Sequence, residues 1–147
     1  MIELNTISDS KEFFYKEFPF VIPHIFRKVT DEILVELHLL KHNKLFKEDS
    51  LFAVGLTTIF KDLTNGYKPE KHLNLLFNAL CLSNDIDPKA IKNLAQKTLE
   101  INSKLDSAKL NEFIENKEMI LEPYKTENIV YNRITILGIL TLVESLN

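Results

Sequence analysis

The sequence predicts an all-α protein, a single compact multi-helix bundle of six to eight helices over residues 1–147. Three observations predict this fold class. Apolar residues recur with the period of an α-helix along most of the chain. Capping residues and prolines stand where these periodic stretches begin, and a glycine stands where one of them ends. The alternating apolar and polar runs that indicate β-strands are lacking.

The predicted helices follow one another with short connections. Thr6 caps the first helix, and Pro23 fits the first position of the second, which has the broadest apolar face. Either Asp49 or Ser50 caps the third helix, and Gly66 ends it in a left-handed conformation. Asp87 caps the fifth helix, with Pro88 at its first position. The seven predicted helices span residues 6–18, 23–46, 51–65, 69–83, 88–104, 107–121 and 127–146.

The second helix is expected to be central, because its apolar face is wide enough to meet several neighbours. Its central apolar stripe is widened by three further residues, Ile25, Leu34 and Leu39. The exposed wedge of this helix is expected to hold Lys28, Asp31, His42 and His38.

Composition and charge narrow the functional classes. Apolar residues make up 45% of the chain and charged residues 27%, as in an ordinary globular domain. The net charge of −3 leaves no excess of positive charge to hold nucleic acid. The longest apolar stretch, residues 134–143, is short of the roughly 20 residues that span a bilayer. The one cysteine, Cys81, cannot form an internal disulfide and is predicted to be a buried, inert thiol.

Two apolar helices share an internal similarity that predicts close packing. Each has a glycine in its middle, Gly55 in one and Gly138 in the other, with a threonine three positions later. A glycine inside a helix costs about 1 kcal/mol relative to alanine. Close approach of two helices would offset that loss, so these glycines are expected to meet. Replacing Gly55 with leucine is then expected to cost about 1–3 kcal/mol through overpacking.

No catalytic motif, cofactor motif or metal motif is complete. His38 and His42 have the i, i+4 spacing of a two-histidine metal face, but Leu39 stands where a zinc protease has its glutamate. The Glu-x-x-His spacing of di-iron bundles is absent as well. Ordinary surface and half-buried histidines are therefore favoured, with no metal and no cofactor.

Glu36 lies inside the apolar arc of the second helix, between Ile25 and Leu40 on the helical wheel. One interpretation is that it reaches water at the edge of the stripe. The other is a partly buried ion pair with Arg133, which enters the most apolar helix. Only two arginines stand beside sixteen lysines, and the arginine fork can hold both carboxylate oxygens. The other arginine, Arg27, is expected to pair with Asp31, four residues along the same helix.

Several strings in a fixed order resemble one family. They are Phe14-Tyr15, Ile33-Leu34-Val35-Glu36-Leu37-His38-Leu39-Leu40, Phe52-Ala53-Val54-Gly55, Gly66-Tyr67-Lys68-Pro69-Glu70, Phe77-Asn78-Ala79-Leu80-Cys81, and Tyr131-Asn132-Arg133 leading into Leu137-Gly138. Together they are similar to the thylakoid-formation family, the photosystem II biogenesis and repair proteins of cyanobacteria and chloroplasts. Tyr67 and Asn78, which lie within these strings, are further structural or interaction candidates.

The resemblance implies an all-helical protein without catalytic activity that acts in photosystem II assembly and repair. It implies association with FtsH protease subunits or photosystem II assembly factors. It places the protein peripherally at the cytoplasmic side of a cyanobacterial thylakoid, without spanning the membrane, and also in the soluble cytoplasm. Members of the family continue into a long C-terminal helix resembling a coiled coil, and this chain is expected to lack it. The alternative is a helical domain that binds a small molecule, or catalyses a reaction, in a pocket between helices. The residues leave the oligomeric state open.

Overall fold

The computed structural model describes residues 6–103 and 133–144, and every regular element within them is helical. This confirms the predicted all-α fold class. The predicted helix over residues 107–121 lies outside the described residues. The elements are α1 (Ile7–Glu17), α2 (His24–Lys41), α3 (Ser50–Leu63), a 3-10 turn (Glu70–His72), α4 (Leu73–Leu82), α5 (Pro88–Ser103) and α6 (Arg133–Glu144).

Three helix starts carry the side-chain caps that the sequence predicts. Thr6 and Asp9 exchange side chain-to-backbone hydrogen bonds of 3.0 and 3.1 Å, so both exposed amides of this first turn are satisfied. Asp49, rather than Ser50, accepts a hydrogen bond from the amide of Phe52 at 3.0 Å. Asp87 accepts from two amides at the start of α5, at 3.0 and 3.4 Å. Each cap of this kind stabilises its helix by about 1 kcal/mol.

Both ends of α2 differ from the prediction. Helix α2 ends at Lys41 and not at residue 46, because the Asn43 side chain accepts a hydrogen bond from the amide of Leu45 at 3.0 Å. That local bond competes with continuation of the helix. Pro23 is the residue before α2 rather than its first residue. Gly66 has the predicted left-handed backbone, with φ of +88°.

The described residues fall into two compact units. The first contains residues 6–46 and 60–90, and the second contains residues 47–59, 91–103 and 133–144. The single domain expected over the whole chain stays a prediction.

In the first unit, α1 packs on α2 and α4, and α2 also packs on α4. The interior is formed by aromatic and aliphatic side chains that these helices direct inward. Those with at most 3% exposure include Phe14, Phe18, Ile33, Leu34, Leu37, Leu76 and Leu80.

The buried face of α2 is rotated from the predicted one. His38, expected in the exposed wedge, is only 6% exposed, whereas Ile25 and Leu39 are 75% and 59% exposed. The reason is the position of α1, which covers the His38 side of α2 and brings Ser10 against the histidine ring. The prediction that Ile25 and Leu39 widen the packed face is therefore wrong.

Candidate functional site

A buried polar contact in the first unit joins α1 to α2. The Oγ atom of Ser10 lies 3.0 Å from Nδ1 of His38, and both side chains are buried. The ring of His42 lies one turn later, with centroids 4.1 Å apart, and its Nδ1 donates to the carbonyl oxygen of His38 at 2.8 Å. Burial lowers the pKa of His38, and the neighbouring His42 lowers it further, against a weaker opposite effect of Asp9.

The two histidines therefore have structural partners in α1 and in the backbone. Within residues 6–103 and 133–144, no group of three or more His, Cys, Asp or Glu side chains is placed to hold a metal ion. Cys81 is fully buried in α4, as predicted.

Gly55 and Gly138 lie at a close crossing of α3 and α6 in the second unit. A Cβ atom built on Gly55 would overlap the carbonyl oxygen of Ile134, and one built on Gly138 would overlap the carbonyl oxygen of Leu51. Each would also stand 3.1 Å from the amide nitrogen of the opposite glycine. The predicted contact is confirmed, and it is a contact between backbones.

Both predicted ion pairs involve residues of α2. Glu36 is half-buried on α2, which fits its place beside the apolar stripe. Arg133 begins α6, but its side chain lies outside the described residues, so the pair stays a prediction. Arg27 is exposed. Asp31, its expected partner, accepts a hydrogen bond from the hydroxyl of Tyr15 in α1 at 3.4 Å.

Tyr67 and Asn78 both belong to the first unit. Tyr67 is 1% exposed and packs against Phe26, with ring centroids 5.1 Å apart. Its hydroxyl is buried without a hydrogen-bond partner among the described residues, and burial raises the pKa of this phenol. Asn78 is half-buried on α4. Tyr67 is thus a core residue rather than a contact residue.

An open groove of about 460 Å³ lies in the described part of the second unit. Thr57 of α3 lines it, together with residues of α5 that include Gln96 and Glu100. Gln96 donates to Glu100 at 3.1 Å, so these two polar groups face each other along the helix. A small-molecule site is usually an enclosed pocket with convergent polar groups. The groove gives no support to the alternative of a pocket that binds or converts a small molecule.

The feature that sequence reasoning missed is an exposed apolar stretch that runs from the connection after α1 into the first turn of α2. Val21 in the connection is 84% exposed and Ile25 in α2 is 75% exposed, the highest values among the large apolar side chains described. Pro19 and Pro23 bracket Val21, and each fixes its own φ angle. This pair of prolines was the sequence signal available. Prolines interrupt a helix, and a segment outside a helix has no helical face to pack against a neighbour.

Comparison with known proteins gives the family. A sequence model described as thylakoid formation protein matches residues 6–147. The chain belongs to this family of thylakoid formation proteins. It is 43% identical over 145 residues to protein Thf1 of Prochlorococcus marinus subsp. pastoris, covering 99% of this chain and 68% of the relative. It is 45% identical over 143 residues to protein Thf1 of Prochlorococcus marinus strain MIT 9312, covering 95% of this chain and 66% of the relative.

A solved structure agrees with the family assignment. The structure titled Psb29 at 1.55 Å superposes with a TM-score of 0.83 at 28% identity, covering 96% of this chain and 76% of that one. The chain thus spans about two thirds of the length of the Thf1 relatives and three quarters of the Psb29 chain. Within the described residues of this family member, no helix is both long and apolar enough to cross a bilayer.

Proposed function

We propose that this thylakoid formation protein is a non-catalytic accessory factor of photosystem II assembly and repair, and that it acts by associating with the FtsH membrane protease. The observation that carries the proposal is the family match over residues 6–147, supported by the shared fold with Psb29. The finer statements, namely the FtsH partner and the peripheral position at the cytoplasmic face of the thylakoid, go beyond that match.

His38, His42 and Cys81 are buried or bonded to other groups of the protein, which supports a non-catalytic role. A general base needs an accessible nitrogen within hydrogen-bond reach of a substrate. The Nδ1 atom of His38 faces Ser10 in the interior, and that of His42 donates to the backbone. A nucleophilic thiol needs partial exposure, whereas Cys81 is fully buried. These groups contribute to packing between helices.

The test is affinity capture from thylakoid extract. The chain is tagged, expressed at its native level, and its captured proteins are quantified by mass spectrometry against an untagged strain. We expect FtsH subunits to be enriched, because association is the proposed mode of action. A second bait, a tagged helical protein of similar net charge, controls for non-specific adsorption.

A second experiment asks whether the protein is needed for photosystem II repair in the cell. In a strain that lacks the protein, recovery of photosystem II activity after strong light is expected to slow, and the tagged chain is expected to restore it. Capture of FtsH at the level of the control bait, or normal recovery in the deletion strain, would contradict the proposal.

A further inference from the structure

Three exposed side chains next to the start of α2 form what we call the apolar tip: Phe20, Val21 and Ile25. Their exposed fractions are 43%, 84% and 75%. Isolated apolar side chains on a surface are normal, but a cluster close together in the chain indicates a place where something binds.

The apolar tip is held in place by the residues that alternate with it. Phe18 and Ile22 are buried, at 1% and 3% exposure, and anchor the segment in the first unit. The ring of Phe20 stacks on His72 of the 3-10 turn, with centroids 4.2 Å apart and an angle of 26° between the planes. Val21 therefore points outward because both of its neighbours are fixed, and the 3-10 turn lies beside the tip.

Basic side chains lie close to the apolar tip. We define the basic rim as Lys28, three residues after Ile25 on the same side of α2, together with Lys68 and Lys71 at the 3-10 turn, all of them exposed. The two parts of the rim lie near the tip because Phe20 packs on His72, which follows Lys71, and Phe26 packs on Tyr67, which precedes Lys68.

Acidic side chains are few on this face. Residues 18–30 contain no Asp or Glu. Residues 67–72 contain one carboxylate, Glu70, which pairs with Lys68 at 3.4 Å. At the borders, Lys16 precedes Glu17, and the exposed Glu32 follows Lys28 by one helical turn. Residues 18–30 and 67–72 together carry four Lys or Arg side chains and one carboxylate, although the whole chain carries −3.

We propose that the apolar tip and the basic rim together dock directly on the anionic lipid surface of a membrane. The tip would insert into the boundary between headgroups and acyl chains, while the rim would lie among the lipid phosphates or sulfates. Apolar insertion and attraction to anionic lipid reinforce each other at such interfaces. This contact goes beyond the proposed function, which assigns a protein partner and a peripheral position at the thylakoid but no direct contact with lipid.

The test uses the purified full chain and vesicles, without any other protein. Phosphatidylcholine vesicles with about one third phosphatidylglycerol serve as the anionic surface, and pure phosphatidylcholine as the neutral one. We expect flotation with the anionic vesicles only, and weaker binding as salt is added. The double variant V21S/I25S removes apolar surface without changing charge, and its binding is expected to weaken about ten-fold or more. The double variant K28Q/K71Q is expected to weaken binding about five-fold or more and to flatten the salt dependence.

Ile101→Ser on α5 is the matched control, because Ile101 is 63% exposed but lies outside this face. It is expected to bind like the wild type. All altered side chains are exposed, and equal circular dichroism and thermal midpoints will show that the variants fold. Wild-type chain that ignores anionic vesicles, or V21S/I25S that binds them normally, would overturn the proposal. If V21S/I25S instead loses captured FtsH while no form binds vesicles, the face is a protein interface. The lipid proposal then fails and the proposed function stands.

Discussion

Alanine at position 55 tests the glycine crossing most directly. The added Cβ would overlap the carbonyl oxygen of Ile134 and stand 2.7 Å from its carbon and 3.1 Å from the amide nitrogen of Gly138. Ordinary van der Waals contact begins at 3.4 Å. All three neighbours are backbone atoms, so no side chain can turn away and α6 itself must move.

The size of the effect follows from two opposing contributions. Overpacking a well-packed site costs about 1–3 kcal/mol, and a backbone obstacle belongs at the upper end of that range. Replacing glycine by alanine inside a helix returns about 1 kcal/mol through helix propensity. We therefore expect Gly55→Ala to lower the free energy of unfolding by about 1–2 kcal/mol. Gly55→Leu is expected to lower it more.

Urea unfolding followed by circular dichroism measures this change, and a double-mutant cycle locates it. Gly138→Ala meets the same crossing, so the double variant is expected to lose less than the sum of the two single losses. Gly66→Ala is the control. It is strained by its φ of +88° but has no neighbour within 4 Å of an added Cβ, so its loss is expected to add to that of Gly55→Ala. An unchanged midpoint for Gly55→Ala, or strict additivity with Gly138→Ala, would refute the close crossing.

Three further predictions concern the polar groups. Because the pKa of His38 is lowered, the folded chain binds fewer protons at this residue than the unfolded chain does once the pH is below the ordinary histidine pKa of about 6.5. The free energy of unfolding therefore decreases as the pH falls from that value through the lowered pKa of His38. Urea midpoints are expected to fall more between about pH 7.5 and pH 5 for the wild type than for His38→Gln, and equal slopes would contradict this. Tyr67→Phe removes a buried hydroxyl that has no described partner, so the urea midpoint is expected to stay or rise, and a loss above about 1 kcal/mol would show a missed hydrogen bond. For the predicted pair of Glu36 and Arg133, a cycle of Glu36→Gln and Arg133→Met is expected to show non-additive losses, whereas additive losses would exclude the pair.

The fold could be predicted from the sequence where the signal was local. The Thr6 and Asp87 caps act within one turn of their helices, and the left-handed Gly66 depends on a single backbone angle. The crossing at Gly55 and Gly138 is not local, yet a glycine inside an apolar helix has few explanations other than close approach. These predictions succeeded because each residue type has a narrow set of physical uses.

The candidate site could not be predicted in the same way. Whether His38 or Ile25 of α2 is buried depends on where α1 lies, and nothing within α2 encodes that position. The apolar face of α2 is so broad that a rotation keeps most of its core unchanged, so periodicity alone did not resolve it. The exposed Val21 was missed for a related reason, since helical periodicity does not describe a segment between two prolines.

The crossing of α3 and α6 also limits which substitutions this chain can accept as its sequence evolves. The atoms that exclude a side chain at Gly55 and Gly138 are the carbonyl oxygens of Ile134 and Leu51. Every amino acid has that carbonyl, so no substitution at residues 51 or 134 can make room. The side chains at those two residues can drift with the rest of the core, whereas the two glycines can be replaced only if one helix shifts along its length. A protein-wide substitution scan would show this as two positions at which every substitution lowers stability, whereas residues 51 and 134 tolerate several apolar side chains.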